Sequence, residues 1–499
     1  MSARIDALPE LVFSSADDLP QAKRVSRLAR AGKLRKIHAG LYTSNLNSPL
    51  DAIVLRHWRE IAERLAPGSV VGYRSAQRAG PEDGKVFLVT GRRAKRIRLP
   101  GLELVVVPGG APIPEGPARD IPYGKLYVAS EPRRLLENLS TRKGASERAS
   151  GAETVEAFLE RVLSLRGEPQ LNTLRDAARE IAPKLHLNRE YEALNRIVSA
   201  LLRTRNARVL HAKSALARAA GRPYDPDRLP VFDKLFGALH QTAFEHPADP
   251  ARRGLALENF AFFEAYFSNY IEGTVFTIEE AEDIIFRGKI MEKRHEDSHD
   301  IKGTFQAILN DPTRGAPPSG SDEFLAWLKG VNALVMQARP DKNPGEWKAG
   351  INRAGASLFV IPELVPGTLR EGFERISALG DPLARALMVM FVVAEVHPFA
   401  DGNGRTARIA MNAHLTAAGL ARIMVPTVYR EDYLLPLKAL THNLVTDGFI
   451  SAMTRAQRWS ASFDFDRPRE EVKSALEDCN AFREDLRNYR LIFPEKKPD

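Results

Sequence analysis

Residues 381–396 read DPLARALMVMFVVAEV, a run that is apolar on all sides of a helical projection. A helix of that kind has no solvent face, so it must lie at the centre of its domain with other helices around it. Almost everything from residue 231 onward has the helical pattern such a setting needs. The central helix delivers His397 at its C-terminal end, and Pro398 cannot continue a regular helix without cost. Gly402-Asn403-Gly404 then forms a loop free of bulk, whose backbone N–H groups can converge on an anion. A new helix starts directly afterwards, and its N-terminus favours phosphate through unpaired N–H groups and the helix dipole. Arg405 and Arg408 lie one turn apart, so both can face the same anion.

The residue types divide the work. His397 is a titratable base at the edge of the site. Asp401 is a hard oxygen ligand of the kind that holds Mg²⁺ against phosphates. Asn403 and the glycine N–H groups are candidates for phosphate oxygens, and Arg405 and Arg408 for the terminal phosphates. Each residue has an ordinary use as well: a histidine caps a helix, a Gly-Asn-Gly turn only turns, an arginine pair faces water. Their density between two apolar helices argues for a nucleotide site. No G-x-x-x-x-G-K-[ST] run occurs, which excludes a P-loop, and no H-R-D…D-F-G set occurs, which excludes a protein kinase.

HPFADGNGRTAR, residues 397–408, resembles the Fic signature H-P-F-x-[D/E]-G-N-G-R-x-x-R at every defined position: His397, Pro398, Phe399, Asp401, Gly402, Asn403, Gly404, Arg405 and Arg408. The resemblance implies an all-α Fic core that transfers AMP from ATP to a Ser, Thr or Tyr hydroxyl of a protein target, with Mg²⁺ at Asp401. The Doc toxins, which phosphorylate instead, lack the Gly-Asn-Gly-Arg ending that Gly404-Arg405 completes here. It also implies a flap hairpin that holds the target by strand addition, for which the β-prone run Ser357–Ile361 is the candidate. Tyr429 and Tyr433 are candidates for an adenine pocket, although tyrosines so placed are more often core aromatics.

Further upstream, SNYIEG places Ser268, Glu272 and Gly273 in a pattern similar to the Fic inhibitory motif [S/T]-x-x-x-E-[G/N]. A carboxylate at Glu272 can take a bidentate pair from Arg408 and so occupy the arginine meant for the γ-phosphate. ATP then binds with its α-phosphate misplaced, which is enough to silence a reaction that depends on positioning. Glu272 can also position a water that removes AMP from a modified target, and the sequence leaves both roles open.

The N-terminal part has a different character. Between Lys23 and Thr43 there is no acid, while Lys23, Arg24, Arg27, Arg30, Lys33, Arg35 and Lys36 are all cationic. Pro20 opens a short helix, Gly32 ends it, and a two-stranded hairpin turns at Ala39-Gly40. Gly32, Leu34, Gly40, Leu41 and Tyr42 resemble the winged helix-turn-helix of AbiEi-type antitoxin regulators, which implies DNA binding through a major-groove helix and a phosphate-contacting wing. VFLVT and LELVVVP then read as strands of a small α/β domain, with the basic run Arg92–Arg98 between them as a second phosphate contact or a hairpin tip.

Taken together, the expected architecture is multidomain and mainly α. Residues 1–75 form a winged-helix-like module, 76–150 a small α/β domain, 151–225 a helical connector, and 226–499 a Fic domain with a short flap hairpin and an inhibitory helix. A formal charge of +9 is consistent with polyanionic partners. One cysteine, Cys479, permits no internal disulfide and fits a reducing cytoplasm. No apolar run is long enough for a membrane span, and no signal peptide is read. The expected partners are a hydroxyl-bearing protein, DNA at the N-terminal module, and another copy of the chain as an open possibility. A toxin–antitoxin-like regulator that uses a Fic domain as nucleotide sensor is the alternative reading.

Overall fold

A computed structural model describes residues 8–14, 19–204, 206–310, 317–354, 357–485 and 488–494. The chain forms two compact units, Met1–Ala220 and Gly221–Asp499.

The first unit opens with β1 (Leu11–Phe13), α1 (Leu19–Arg30), β2 (Arg35–His38) and β3 (Leu41–Thr43). Val25 is the buried residue of α1, and Gly32 leaves the helix with φ +70° as a left-handed stop. The predicted two-stranded hairpin carries a third strand, because β1 pairs antiparallel with β3. Among the described residues, β1 leads into α1, and one helix precedes the hairpin.

Helices α2 (Leu50–Arg56) and α3 (Trp58–Leu65) lead into a six-stranded mixed sheet. Its strands are β4 (Val70–Val71), β5 (Lys85–Thr90), β6 (Lys95–Leu99), β7 (Leu102–Pro108), β8 (Ile121–Tyr123) and β9 (Leu126–Val128), in the order β6-β7-β5-β4-β9-β8. The runs VFLVT and LELVVVP are the parallel central pair β5 and β7, and their continuous burial explains why they are apolar throughout. The basic run between them is the edge strand β6. It buries Ile97 and Leu99 and turns Lys95, Arg96 and Arg98 outward, the alternation that keeps an edge soluble. Arg96 is paired there with Glu103 and Glu147. Behind the sheet, α4 (Glu131–Asn138) carries Arg133, fully buried between Asp120 and Glu137 at 2.7 and 2.8 Å. The unit closes with α5 (Ala152–Ile181), kinked at Gly167, followed by α6 (Asn188–Leu201) and α7 (Lys213–Ala219).

The second unit is helical. Helices α8 (Leu229–Gln241), α9 (Gly254–Ile271), α10 (Ile278–Arg287), α11 (His295–Leu309), α12 (Ser321–Val335) and α13 (Val365–Ala378) precede α14 (Pro382–Val396), against which α8 and α13 pack. Next come α15 (Asn403–Ala417), α16 (Arg430–Asn443), α17 (Asp447–Ser460) and α18 (Arg469–Asp478). The all-round apolar run is α14, and it is buried along nearly its whole length. Asp381 caps it by accepting from the Leu383 and Ala384 N–H groups, and Pro382 occupies the first helical position, where no N–H is missed. Glu395 is the acid within α14. Buried, it needs partners, and it accepts from Arg228 at 2.5 Å and Thr441 at 2.7 Å. A short hairpin pairs β10 (Arg353–Ala354) with β11 (Ser357–Leu358), where the flap was expected.

Candidate active site

The break between α14 and α15 builds the site. His397 caps α14 in the left-handed region, with φ +53°, a conformation that swings its ring off the helix axis. Gly402 reverses the chain again at φ +73°, and a Cβ there would lie 2.6 Å from Met336 Sδ. Asn403 does not present a free amide to an anion as expected. Its Oδ1 accepts from the Phe399 N–H at 2.8 Å, and its Nδ2 donates to the Phe399 carbonyl at 2.9 Å. The side chain holds the loop closed, and what remains for an anion is backbone. Phe399 is likewise an anchor: it is fully buried and stacks on Trp347 with ring centroids 5.1 Å apart.

A cavity of about 510 Å³ opens beside this loop, lined by His397, Gly404, Arg408, Glu272, Phe359 and Tyr433 among others. Tyr433 stands beside the Arg408 guanidinium, whereas the Tyr429 hydroxyl donates to the Ala452 carbonyl in the core. The hairpin β10–β11 and the neighbouring residue Phe359 form one wall.

The predicted meeting of Arg408 with the upstream motif is present in altered form. Glu272 Oε1 accepts from Arg408 Nη2 at 2.7 Å. The expected bidentate fork is absent: the Ser268 hydroxyl accepts from Arg408 Nε at 2.9 Å and its carbonyl from Nη2 at 3.0 Å, and Tyr433 hydrogen-bonds the same guanidinium. Gly273, at φ +95°, ends α9 immediately afterwards. Glu272 also lies against the loop itself, since a Cβ on Gly404 would meet its Oε1 at 2.1 Å. Burial works against ionising Glu272, but Arg408 more than reverses it and holds the carboxyl below its usual range.

Arg405 points away from the cavity. It pairs with Asp300 of α11 at 3.0 Å and approaches Asp401 at 3.7 Å. Arg339 shares both carboxylates, at 3.3 Å from Asp300 and 3.9 Å from Asp401. Burial pushes the Asp300 carboxyl up in spite of these cations. Asp401 keeps about 40 % of its side chain open, with its Oδ1 accepting from the Gly402 N–H at 2.6 Å. Among the described residues no cluster of three or more potential metal ligands occurs. A single open carboxylate suits an ion completed by substrate phosphates and water rather than by protein, the usual arrangement for Mg²⁺.

The His397 ring lies flat against Phe359, 3.8 Å between centroids and 8° between planes. Its Nδ1 faces the Ala394 carbonyl at 3.4 Å, which favours the tautomer with the lone pair on Nε2. Burial, followed by the charge of Lys348, lowers its pKa to about 4. Asp300, Arg339, Lys348 and Phe359 were absent from the sequence-derived site. Only Phe359 had a signal, as part of the β-prone run 357–361.

The basic residues of α1 form a separate feature. Leu19, Ala22, Lys23, Ser26, Arg27 and Arg30 share one open helical face, and Arg24, Lys33 and Lys36 are exposed nearby. Arg35 instead donates to the Leu46 and Ser48 carbonyls.

Residues 324–415 match the Fic/DOC family. Over 212 residues the chain is 39% identical to protein adenylyltransferase fic-1 of Caenorhabditis elegans, covering 40% of this chain and 41% of that protein. Over 224 residues it is 40% identical to protein adenylyltransferase Fic of Drosophila erecta, covering 42% of each. A solved structure of C. elegans Fic-1 (residues 134–508) aligns with a TM-score of 0.36 and 18% identity, over 66% of this chain and 94% of that one. The chain thus spans less than half the length of these two curated relatives. With a complete HPFADGNGRTAR loop inside the matched region, residues 324–415 are a Fic/DOC-family domain.

Proposed function

We propose that this chain is a protein adenylyltransferase that Glu272 holds in check. The observation that carries the reading is the shared cavity: His397 with its Nε2 available, the glycine loop, and Arg408 tied to Glu272 all face one space. The names of the two adenylyltransferase relatives support the same chemistry.

In this mechanism the target's hydroxyl oxygen attacks the α-phosphorus of ATP, and its proton passes to Nε2 of His397. The bond to the β-phosphate oxygen breaks and pyrophosphate leaves. The backbone at Gly402–Gly404 and the start of α15 stabilise phosphate oxygens, and Arg408, once released, takes the terminal phosphate. Arg405 reinforces the same region from its pair with Asp300. Asp401 is the residue that would hold Mg²⁺, which when bound would supply neutralisation of the leaving group's charge. The edge of the β10–β11 hairpin offers main-chain groups to an extended segment of the target. Incubation with ATP labelled at the α-phosphate tests the reading: radiolabel on protein supports it, and label only from the γ-position overturns it in favour of phosphorylation.

The low pKa of His397 gives a pH dependence with a definite sign. The ring must be neutral to accept a proton, and with a pKa of about 4 it is neutral throughout the physiological range. We expect kcat/KM for ATP to stay level from neutral pH down to about pH 5 and then to fall. A base with an ordinary histidine value would already lose half its activity near pH 6.5, at about the reference value.

We also propose that α1 contacts DNA. Lys23, Arg27 and Arg30 lie on one exposed face, and among the described residues none of the three has a carboxylate partner. Three phosphate contacts predict that duplex affinity falls roughly 40-fold between 50 and 200 mM salt. Fluorescence anisotropy with a labelled duplex reads this directly. An affinity indifferent to salt would exclude the contact.

A further inference from the structure

Lys348 is a buried cation without an obvious structural reason. It is 3% exposed, and a lysine is almost never buried to that extent unless it is paired with an acid. Among the described residues no carboxylate forms an ion pair with it. Its ammonium donates to Asn352 Oδ1 at 2.5 Å, and Asn352 in turn donates to the Phe399 carbonyl at 2.8 Å. Its own backbone N–H donates to the Pro398 carbonyl at 2.9 Å, so the residue is fastened to the segment that follows His397. The ammonium lies 5.9 Å from the centre of the Phe359 ring, the same ring that stacks on His397.

We propose that Lys348 is a positioning residue for the base: it holds a fixed positive charge beside His397 that keeps the imidazole neutral when nucleotide phosphates are bound. The proposal rests on the transferase reading, in which His397 must accept a proton. A triphosphate brings several negative charges to the loop, and negative charge favours the imidazolium. Imidazolium cannot act as the base. The acids facing His397 push the same way: Glu272 from the end of α9 and Asp401 from the loop. Arg405 is engaged by Asp300, and Arg408 by Glu272 until it is released to the terminal phosphate. Lys348 opposes these acids from the segment before the hairpin, with Arg228 as the further cation near it. Burial, then Arg228, lowers Lys348 itself to about 8, so it remains mostly charged at neutral pH.

The test is an NMR titration of the full-length chain carrying ¹³C-labelled histidine, with the His397 signal assigned by its loss in His397→Ala. In Lys348→Met the His397 midpoint should rise by about one pH unit, whereas Lys348→Arg should leave it near the native value. The native protein supplies an independent reading. Its His397 signal should show a second, smaller step near pH 8 as Lys348 loses its proton. An unshifted midpoint in folded Lys348→Met overturns the proposal, and so does the absence of that step in the native chain. If the methionine variant does not fold, the native step decides. The titration needs no turnover, so a chain that shows the coupling but transfers no AMP even as Glu272→Gly would refute the transferase reading and leave the electrostatic link standing.

Discussion

Replacing Glu272 with glycine should raise AMP transfer about 100-fold, the effect expected when a misplaced reacting group regains its position. In the native chain Arg408 gives one Nη2 hydrogen bond to Glu272 and is also held by Ser268 and Tyr433. Removing the carboxylate therefore frees the guanidinium for phosphate without leaving it loose, since both Ser268 contacts survive. It also clears the space against Gly404, where the carboxylate now sits. The measurement is the initial rate of α-label incorporation into protein at saturating ATP. Glu272→Gln separates charge from bulk: it should fall between the native chain and the glycine variant. Equal labelling by all three would remove the brake from the mechanism.

In that released background, His397→Ala should lower kcat roughly 10³-fold, within the range that a general base contributes. Working in the released form matters, because a native rate already near the floor would hide the loss. ATP affinity should change little, since the loop backbone and Arg408 are untouched. The left-handed backbone at 397 is already occupied by a residue with a Cβ, so alanine adds no new strain there. Isothermal titration with ATP beside the rate assay distinguishes a lost base from a collapsed site. Retention of more than a tenth of the rate would mean that another group accepts the proton.

How far these features could be read from the residues follows a physical line. The HPFADGNGRTAR loop was legible because its parts are contiguous, and α14 because no solvent face exists for such a run. Strands β5 and β7 were legible as short apolar runs bounded by turns. Beyond the loop, legibility drops sharply. Asn403 looked like an anion contact, yet its amide satisfies the Phe399 backbone four residues back, an interaction that depends on how tightly the loop closes. The Arg408–Glu272 fork was half right, because nothing in SNYIEG says that the Ser268 carbonyl would compete for the same guanidinium. Asp300, Arg339 and Lys348 come from three separate segments with no shared spacing, and only folding brings them to the site. β1 was missed because three residues, LVF, are too few to show an alternation.

The two arginines of the loop have one more consequence. At rest, Arg405 is held outside the cavity by Asp300 while Arg408 faces Glu272, so the cation that lines the cavity already has a built-in anionic tenant. A visiting anion must out-compete a tethered carboxylate, which enjoys a high local concentration. A singly charged metabolite has little leverage in that contest, while a triphosphate brings several charges and a metal ion. On the proposed reading, the resting Arg408–Glu272 pair thus sets an entry threshold: it makes the site indifferent to weak anions and responsive to a strong one.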